Sequence, residues 1–283
     1  MSAQWEQLEL PGGRRVVRDE VYGFLKIVPR PATEEVASYY AQAYRNPCVP
    51  HDSEGRADLV CQFAPHPGRV LDIGCGAGEF LTEFARRGWE VVGVEPGPQY
   101  AEKARSRGVQ VIDEPLTAEV AGSLGTFDAV LLIHVLEHLP IPEEMLRIVH
   151  TLLKPGGIFL CEVPNDFNPL QEVAVTVQGL HPWWIVYPDH LNYFNISTLA
   201  SFIAGHGFDV LLQTTDFPVE MFLLWGDVYI DNPDMGSVMH AKRCRFENAM
   251  GQAGKRELLR SWYAKTAELG IGREAIVCAR KRA

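Results

Sequence analysis

Apolar positions in the middle of the chain fall into short runs separated by helix-like stretches. The run at 69–73 predicts a strand, and the spacing of Phe80, Leu81 and Phe84 predicts a helix over 78–87. The same alternation predicts strands at 90–95, 109–112, 127–133 and 158–163, with helices at 98–107 and 143–153. Pro155-Gly156-Gly157 cannot continue the last helix. Strands alternating with helices predict an α/β domain with a mostly parallel, doubly wound sheet. Ligands of such sheets sit at the carboxyl ends of the strands. Asp72, Glu95, Asp113, His134 and Asn165 all fall at predicted strand ends.

The flanks read differently. Before residue 57, two short strands are predicted at 16–19 and 24–28, with a turn near Gly23. Pro29 and Pro31 then break the chain. Thr33 has the character of an N-cap, and a helix carrying Val36, Tyr39, Tyr40 and Tyr44 is expected after it. Residues 165–195 are rich in Asn, His and aromatic side chains, including His181, Trp183, Trp184, His190 and Tyr193. A helix is expected from Ile196, then a strand at 208–213 and a final strand at 274–280. The stretch 216–272, with a helical region at 237–269, interrupts the direct return. The expected division is an N-terminal cap over 1–56 and one domain over 57–283. Within that domain, 165–195 would form a lid and 216–272 a helical insertion. The insertion suits either a pocket wall or an oligomer interface, which leaves a homodimer open.

Charge narrows the function classes. The 26 Lys and Arg are outnumbered by 36 Asp and Glu, for a net charge of −10, and no basic patch is visible. A protein that grips nucleic acid through phosphate contacts would carry one. The six cysteines form no C-x-x-C pair and read as small buried hydrophobes of a reducing compartment. No apolar leader or membrane-length run is present. The expectation is a soluble cytoplasmic protein with no membrane partner.

The chemistry concentrates in Val70-Leu71-Asp72-Ile73-Gly74-Cys75-Gly76-Ala77-Gly78. Alternate glycines let a ligand approach bare backbone, and the following helix start offers N–H groups. The spacing is G-x-G-x-G, and Glu79 stands where the third glycine of a dinucleotide G-x-G-x-x-G turn would fall, which argues against NAD. Glu95 ends the next apolar run, where a carboxylate can accept from both hydroxyls of a ribose.

These segments resemble the motifs of class I S-adenosylmethionine-dependent methyltransferases. Leu71 to Gly78 is similar to the first motif and Val92-Gly93-Val94-Glu95-Pro96 to the second. Phe127-Asp128 through His138-Leu139 is similar to the fourth, and Leu152 through Leu160 to the approach to the fifth strand. The resemblance covers residues 57–164 and is nearest to bacterial small-molecule enzymes of the ubiquinone O-methyltransferase kind. It implies a Rossmann-like sheet of seven strands with an antiparallel last strand. It implies S-adenosyl-L-methionine as cofactor, held by Asp72, Gly74, Cys75, Gly76, Gly78, Glu95, Asp113 and His134. In such enzymes the N-terminal helix closes over the ligands, which makes Tyr40 a candidate. The segment after the fifth strand faces a small-molecule acceptor, which nominates Asn165, Trp183, Trp184 and Tyr193. The expected acceptor atom is a hydroxyl oxygen on a phenolic or sugar ring, with nitrogen or carboxylate as alternatives. Histidine removes such a proton well near neutral pH, and His190 is placed ahead of His181 as the base.

Two rivals come from other classes. His134-Val135-Leu136-Glu137-His138 matches H-x-x-E-H, an inverted zinc-peptidase signature that needs both histidines on one helix. Pro140 and Pro142 cut such a helix short, so no metal is expected. An NAD-dependent oxidoreductase or a non-catalytic cofactor binder shares the Rossmann logic and is separated by which ligand binds.

Overall fold

The computed structural model describes residue 5, residues 8–32, residue 35 and residues 52–282. The expected helix with Tyr39, Tyr40 and Tyr44 lies outside the described residues. In chain order the elements are β1 (Glu9–Leu10), β2 (Arg14–Arg18), β3 (Leu25–Val28), α1 (Ser53–Phe63), β4 (Arg69–Ile73), α2 (Glu79–Arg86), β5 (Glu90–Val94), α3 (Pro98–Ser106), β6 (Gln110–Ile112) and α4 (Ala118–Leu124). They continue as β7 (Phe127–Ile133), α5 (Pro142–Leu152), β8 (Leu153–Pro164), α6 (Pro169–Gln178), β9 (Asn192–Tyr193), α7 (Ile196–Gly205), β10 (Phe208–Thr214), α8 (Glu220–Leu224), α9 (Pro233–Gln252), α10 (Arg256–Glu268) and β11 (Glu274–Lys281). No helix among the described residues is long and apolar enough to cross a membrane.

The main sheet has seven strands in the order β10-β11-β8-β7-β4-β5-β6, mostly parallel, with antiparallel pairing at its β10-β11 end. Parallel pairing links β4 with β5 and β7, β5 with β6, and β7 with β8. Helices cover both faces of such a sheet, so its central strands read as continuous apolar runs. Val70, Leu71, Val130, Leu131, Phe159 and Leu160 are all fully buried. α2 buries Phe80, Leu81 and Phe84 on one stripe. α3 and α5 each open with a proline in the first turn, where no intrahelical N–H is lost.

The chain divides into two compact units. One, the core unit, holds Pro31–Val163, Ala200–Leu212 and Val277–Ala283. The other, the accessory unit, holds Met1–Arg30, Pro164–Leu199 and Gln213–Ile276. In the accessory unit β1-β2-β3-β9 form one four-stranded sheet, with Leu25 opposite Tyr193. Val16, Leu25 and Ile27 of the N-terminal strands pack with Trp5, Phe167, Trp184 and Tyr193 in one apolar cluster. The insertion also belongs to the accessory unit, where Phe217, Phe222 and Met239 form a second cluster flanked by Trp262.

Candidate ligand-binding site

The glycine turn of the core unit is held by main-chain bonds. Gly74 and Cys75 both donate their N–H to the Val94 carbonyl, at 2.8 and 3.0 Å. Gly78 caps α2 with φ +81°, and a Cβ there would press on Ala104 and Val109 at 3.1 and 3.2 Å. Glycine is needed for both the turn and the packing. Gly76 has φ +53°, and a Cβ built on it meets nothing within 4 Å. Its bare backbone faces open space.

Glu95 is 1% exposed and completes this turn. Its Oε2 accepts the Gly76 N–H at 3.0 Å and its Oε1 accepts the Gly97 N–H at 2.7 Å. A carboxylate oxygen can accept more than one bond, so the brace leaves acceptor capacity for a ligand diol. Asp72 is buried at the end of β4. Burial, and then the charges of Glu95 and Glu79, push its carboxyl up to about 7. Cys75 is buried, and its thiol is pushed far up by burial and by Asp72 and Glu95. It acts as packing, not as a nucleophile. Open glycine backbone beside a buried acid at the next strand end fits a nucleoside ligand. Asp113, one strand further, is exposed and pairs with Arg105 at 3.0 Å, which holds its carboxyl below the usual range.

A third polar group follows β7. His134 has left-handed backbone, φ +53°, and donates its N–H to the Glu162 carbonyl at 2.9 Å. Its half-buried ring lies 3.5 Å from Glu137 and 3.9 Å from Glu162. His138 is 3.6 Å from the same Glu137 oxygen. Leu136–His138 is a single 3-10 turn, so the two histidines do not share the regular helix of a zinc peptidase. The Arg56 guanidinium grips buried Glu162 with two bonds, at 2.5 and 2.7 Å. Burial alone would raise the Glu162 carboxyl, yet Arg56 holds it below its ordinary range. Sequence reasoning did not single out Arg56 or Glu162. Glu162 was legible as the lone charge in the apolar run 158–163, whereas Arg56 comes from α1 with no local signal.

In the accessory unit several expected acceptor groups have structural work. Asn165 is fully buried. Its amide donates to the Gly270 and Gly272 carbonyls at 3.0 and 2.9 Å, and its Oδ1 accepts from Ile196 N–H at 3.2 Å. Its amide braces the loop before β11, and its oxygen holds the start of α7. Trp184 is 3% exposed, with Trp5, Phe167 and Trp183 rings at 5.5, 5.5 and 4.9 Å. Tyr193 is fully buried and donates its hydroxyl to the His190 carbonyl at 3.1 Å. The expected lid aromatics are thus core side chains, because the N-terminal strands cover them. Trp183 is partly buried against the same cluster. His181 is exposed and pairs with exposed Asp231 at 2.8 Å. His190 is half-buried, its N–H bonded to Val186 O at 2.8 Å, its ring tilted over Tyr193.

Comparison with known proteins agrees with the turn. A family described as "Methyltransferase domain" matches residues 49–213, more than half of the chain. A ubiquinone biosynthesis O-methyltransferase of Ruegeria pomeroyi is 40% identical over 139 residues, which are 44% of this chain and 56% of that protein. The C-methyltransferase NovU of Streptomyces niveus is 30% identical over 152 residues, 52% of this chain and 34% of that one. The chain therefore spans about half or less of the length of these curated relatives. Among solved structures, the [4+2]-cyclase SpnF superposes with a TM-score of 0.54 at 21% identity, covering 90% of this chain and 99% of that one. That likeness speaks to the fold alone.

Proposed function

The chain belongs to the methyltransferase-domain family, and we propose that it transfers a methyl group from S-adenosyl-L-methionine to a small-molecule acceptor, at a hydroxyl oxygen on a phenolic or sugar ring. The observation that carries this reading is the open Gly76 backbone held against the buried Glu95 carboxylate. That pair suits a ribose-bearing donor, and G-x-G-x-G spacing does not suit a dinucleotide.

The bound donor would supply a methyl group that is already activated. The protein then has to bind, align and manage one proton, and alignment alone is worth up to about 7–11 kcal/mol in well-oriented cases. Asp72, Gly74, Gly76, Gly78 and Glu95 are the residues that would hold the donor, with Asp113 and His134 at neighbouring strand ends. Cys75 fills space beneath the turn. For the acceptor proton we place His190 first, as a half-buried imidazole. His181 is second, because its ring is exposed and already paired with Asp231. The net charge of −10 supports a small acceptor over nucleic acid.

Calorimetry with S-adenosyl-L-methionine, its demethylated product and NAD tests the donor assignment. Binding of the first two at about micromolar affinity is expected, and NAD binding without them would overturn it. Mass spectrometry of a panel of phenols, glycosides, amines and carboxylates then reads the acceptor atom. Transfer should persist in EDTA, since an activated donor needs alignment more than a Lewis acid.

A further inference from the structure

The accessory unit holds a cavity of about 360 Å³ walled by α8 and α10, and no charged side chain lines it. We propose that this cavity binds a small, uncharged aromatic molecule that carries one hydrogen-bond donor. The inference goes beyond the methyl-transfer reading and does not depend on it.

Helical spacing builds the walls. In α8, Phe222 and Leu223 are buried, and Phe222 joins the cluster of Phe217 and Met239. Met221, Leu224 and Trp225 stand at i, i+3 and i+4, share one face and line the cavity. In α10, Trp262 and Thr266 are one turn apart and supply the second wall. The Trp262 ring is set in place by the rings of Phe217, Phe246 and Tyr263, at 6.0, 5.9 and 5.3 Å. A wall already ordered costs a ligand less on binding. Trp225 has one ring contact among the described residues, with Phe222 at 5.8 Å, and is 63% exposed. An exposed indole at the rim of an apolar cavity forgoes burial that a ligand would supply.

The lining selects the ligand class. The volume lies within the roughly 300–1,000 Å³ of small-molecule sites. Two indoles and the Met221 thioether favour a ring over an aliphatic chain, because ring–ring and sulfur–ring contacts add to area burial. An ion buried here would meet no opposite charge in the lining, and that desolvation opposes both anions and cations. Thr266 then fixes the polarity of the ligand. Its hydroxyl donates to the Tyr263 carbonyl at 3.0 Å. A hydroxyl has one proton and two lone pairs, so the Thr266 oxygen has only acceptor capacity left. The ligand group that meets it must donate.

NMR on the full, ¹⁵N-labelled chain tests this, with indole, 1-methylindole, cyclohexanol and indole-3-acetate as probes. The side-chain N–H signals of Trp225 and Trp262 are assigned through Trp225→Phe and Trp262→Phe. Indole should shift both signals saturably. 1-Methylindole lacks the donor and should bind about 3- to 10-fold more weakly, the scale of one neutral hydrogen bond. Cyclohexanol keeps a donor without the aromatic ring, and indole-3-acetate keeps the ring with a charge. Each should also bind more weakly than indole. Thr266→Val should make indole and 1-methylindole bind alike. Trp225→Ala, at an exposed position, should weaken indole by about 3- to 10-fold with the melting temperature close to wild type. Absence of a saturable indole shift at the two tryptophans overturns the inference. So does equal binding of indole and 1-methylindole by the wild-type chain, tighter binding of cyclohexanol or indole-3-acetate, or indole binding indifferent to Trp225→Ala. A mass that doubles with concentration in the wild type and not in Trp225→Ala, without any indole shift, would give the cavity to a second copy of the chain instead.

Discussion

The Glu95 carboxylate accepts the Gly76 N–H at 3.0 Å through one oxygen and the Gly97 N–H at 2.7 Å through the other. One side chain thus ties the end of β5 to the middle of the glycine turn. Its removal should be felt in two ways, as a looser turn and as a lost ligand acceptor. Glu95→Ala is expected to weaken S-adenosylhomocysteine binding by about 1–3 kcal/mol, the scale of charged hydrogen bonds. Titration calorimetry reads this directly. Affinity equal to wild type would show that Glu95 serves the turn alone.

Asp72 imposes a pH dependence on stability. Its folded pKa is raised from 3.8 to about 7 by burial and then by Glu95 and Glu79. The unfolded chain therefore releases this proton near pH 4, and the folded chain holds it until about pH 7. Between those limits folding takes up a proton, so this residue makes stability fall as pH rises. At 1.36 kcal/mol per unit the loss totals roughly 4 kcal/mol. Urea unfolding at pH 5 and pH 7.5 should show the fall, and Asp72→Asn should flatten it. A profile unchanged in the variant would mean that Asp72 ionises at its ordinary value.

The Arg56–Glu162 pair has the opposite sign. Arg56 holds the Glu162 carboxyl below its ordinary 4.5 despite burial. Its stabilisation is complete above that value and is lost as pH falls through the lower folded pKa. Arg56→Ala would leave a buried carboxylate without its cation, at a cost of about 3–5 kcal/mol. Arg56→Ala with Glu162→Gln should recover part of that loss. Melting of the three proteins at neutral pH decides the matter, and a single variant as stable as wild type would refute it.

The central parallel strands were legible because they are buried on both faces, which writes an unbroken apolar run into the sequence. The expected 69–73 and 127–133 match Arg69–Ile73 and Phe127–Ile133. β8 begins at Leu153, earlier than the expected 158, because Lys154 folds back to Asp128 at 2.8 Å and strand geometry continues through the glycines. The accessory sheet was not legible as a sheet. Its strand β9 has only two residues, and its partner β3 lies far back in the chain. Local pattern carries no trace of such a pairing. The same gap explains the aromatics: Trp184 and Tyr193 read as a lid until Trp5, Val16 and Ile27 are known to cover them.

That covering changes what substitution of Trp184 should do. As a core ring, Trp184→Ala should lower stability by about 3–5 kcal/mol, the usual cost of removing a large buried aromatic. Its Nε1–H has no acceptor among the described residues, so Trp184→Phe sacrifices no hydrogen bond and should be far milder. Denaturant midpoints of the two variants separate these effects. A normal midpoint for Trp184→Ala with a raised acceptor KM would return this ring to the binding surface.

His190 and His181 can be told apart by their surroundings. His181 is exposed and bonded to exposed Asp231 at 2.8 Å. His190 is half-buried and tied through its backbone to Val186 and to the Tyr193 hydroxyl. If His190 removes the acceptor proton, His190→Ala should lower kcat by about 10²–10⁴-fold. Donor affinity should stay within a few-fold, because the donor residues lie elsewhere in the chain. The loss should shrink at high pH, where a hydroxyl acceptor ionises without help. His181→Ala should leave kcat within a few-fold at every pH. A purely structural His190 gives another pattern: a lowered melting temperature, reduced kcat at all pH values and no recovery in alkali. Full kcat in His190→Ala would remove the base assignment, and transfer would then rest on alignment of the two substrates alone.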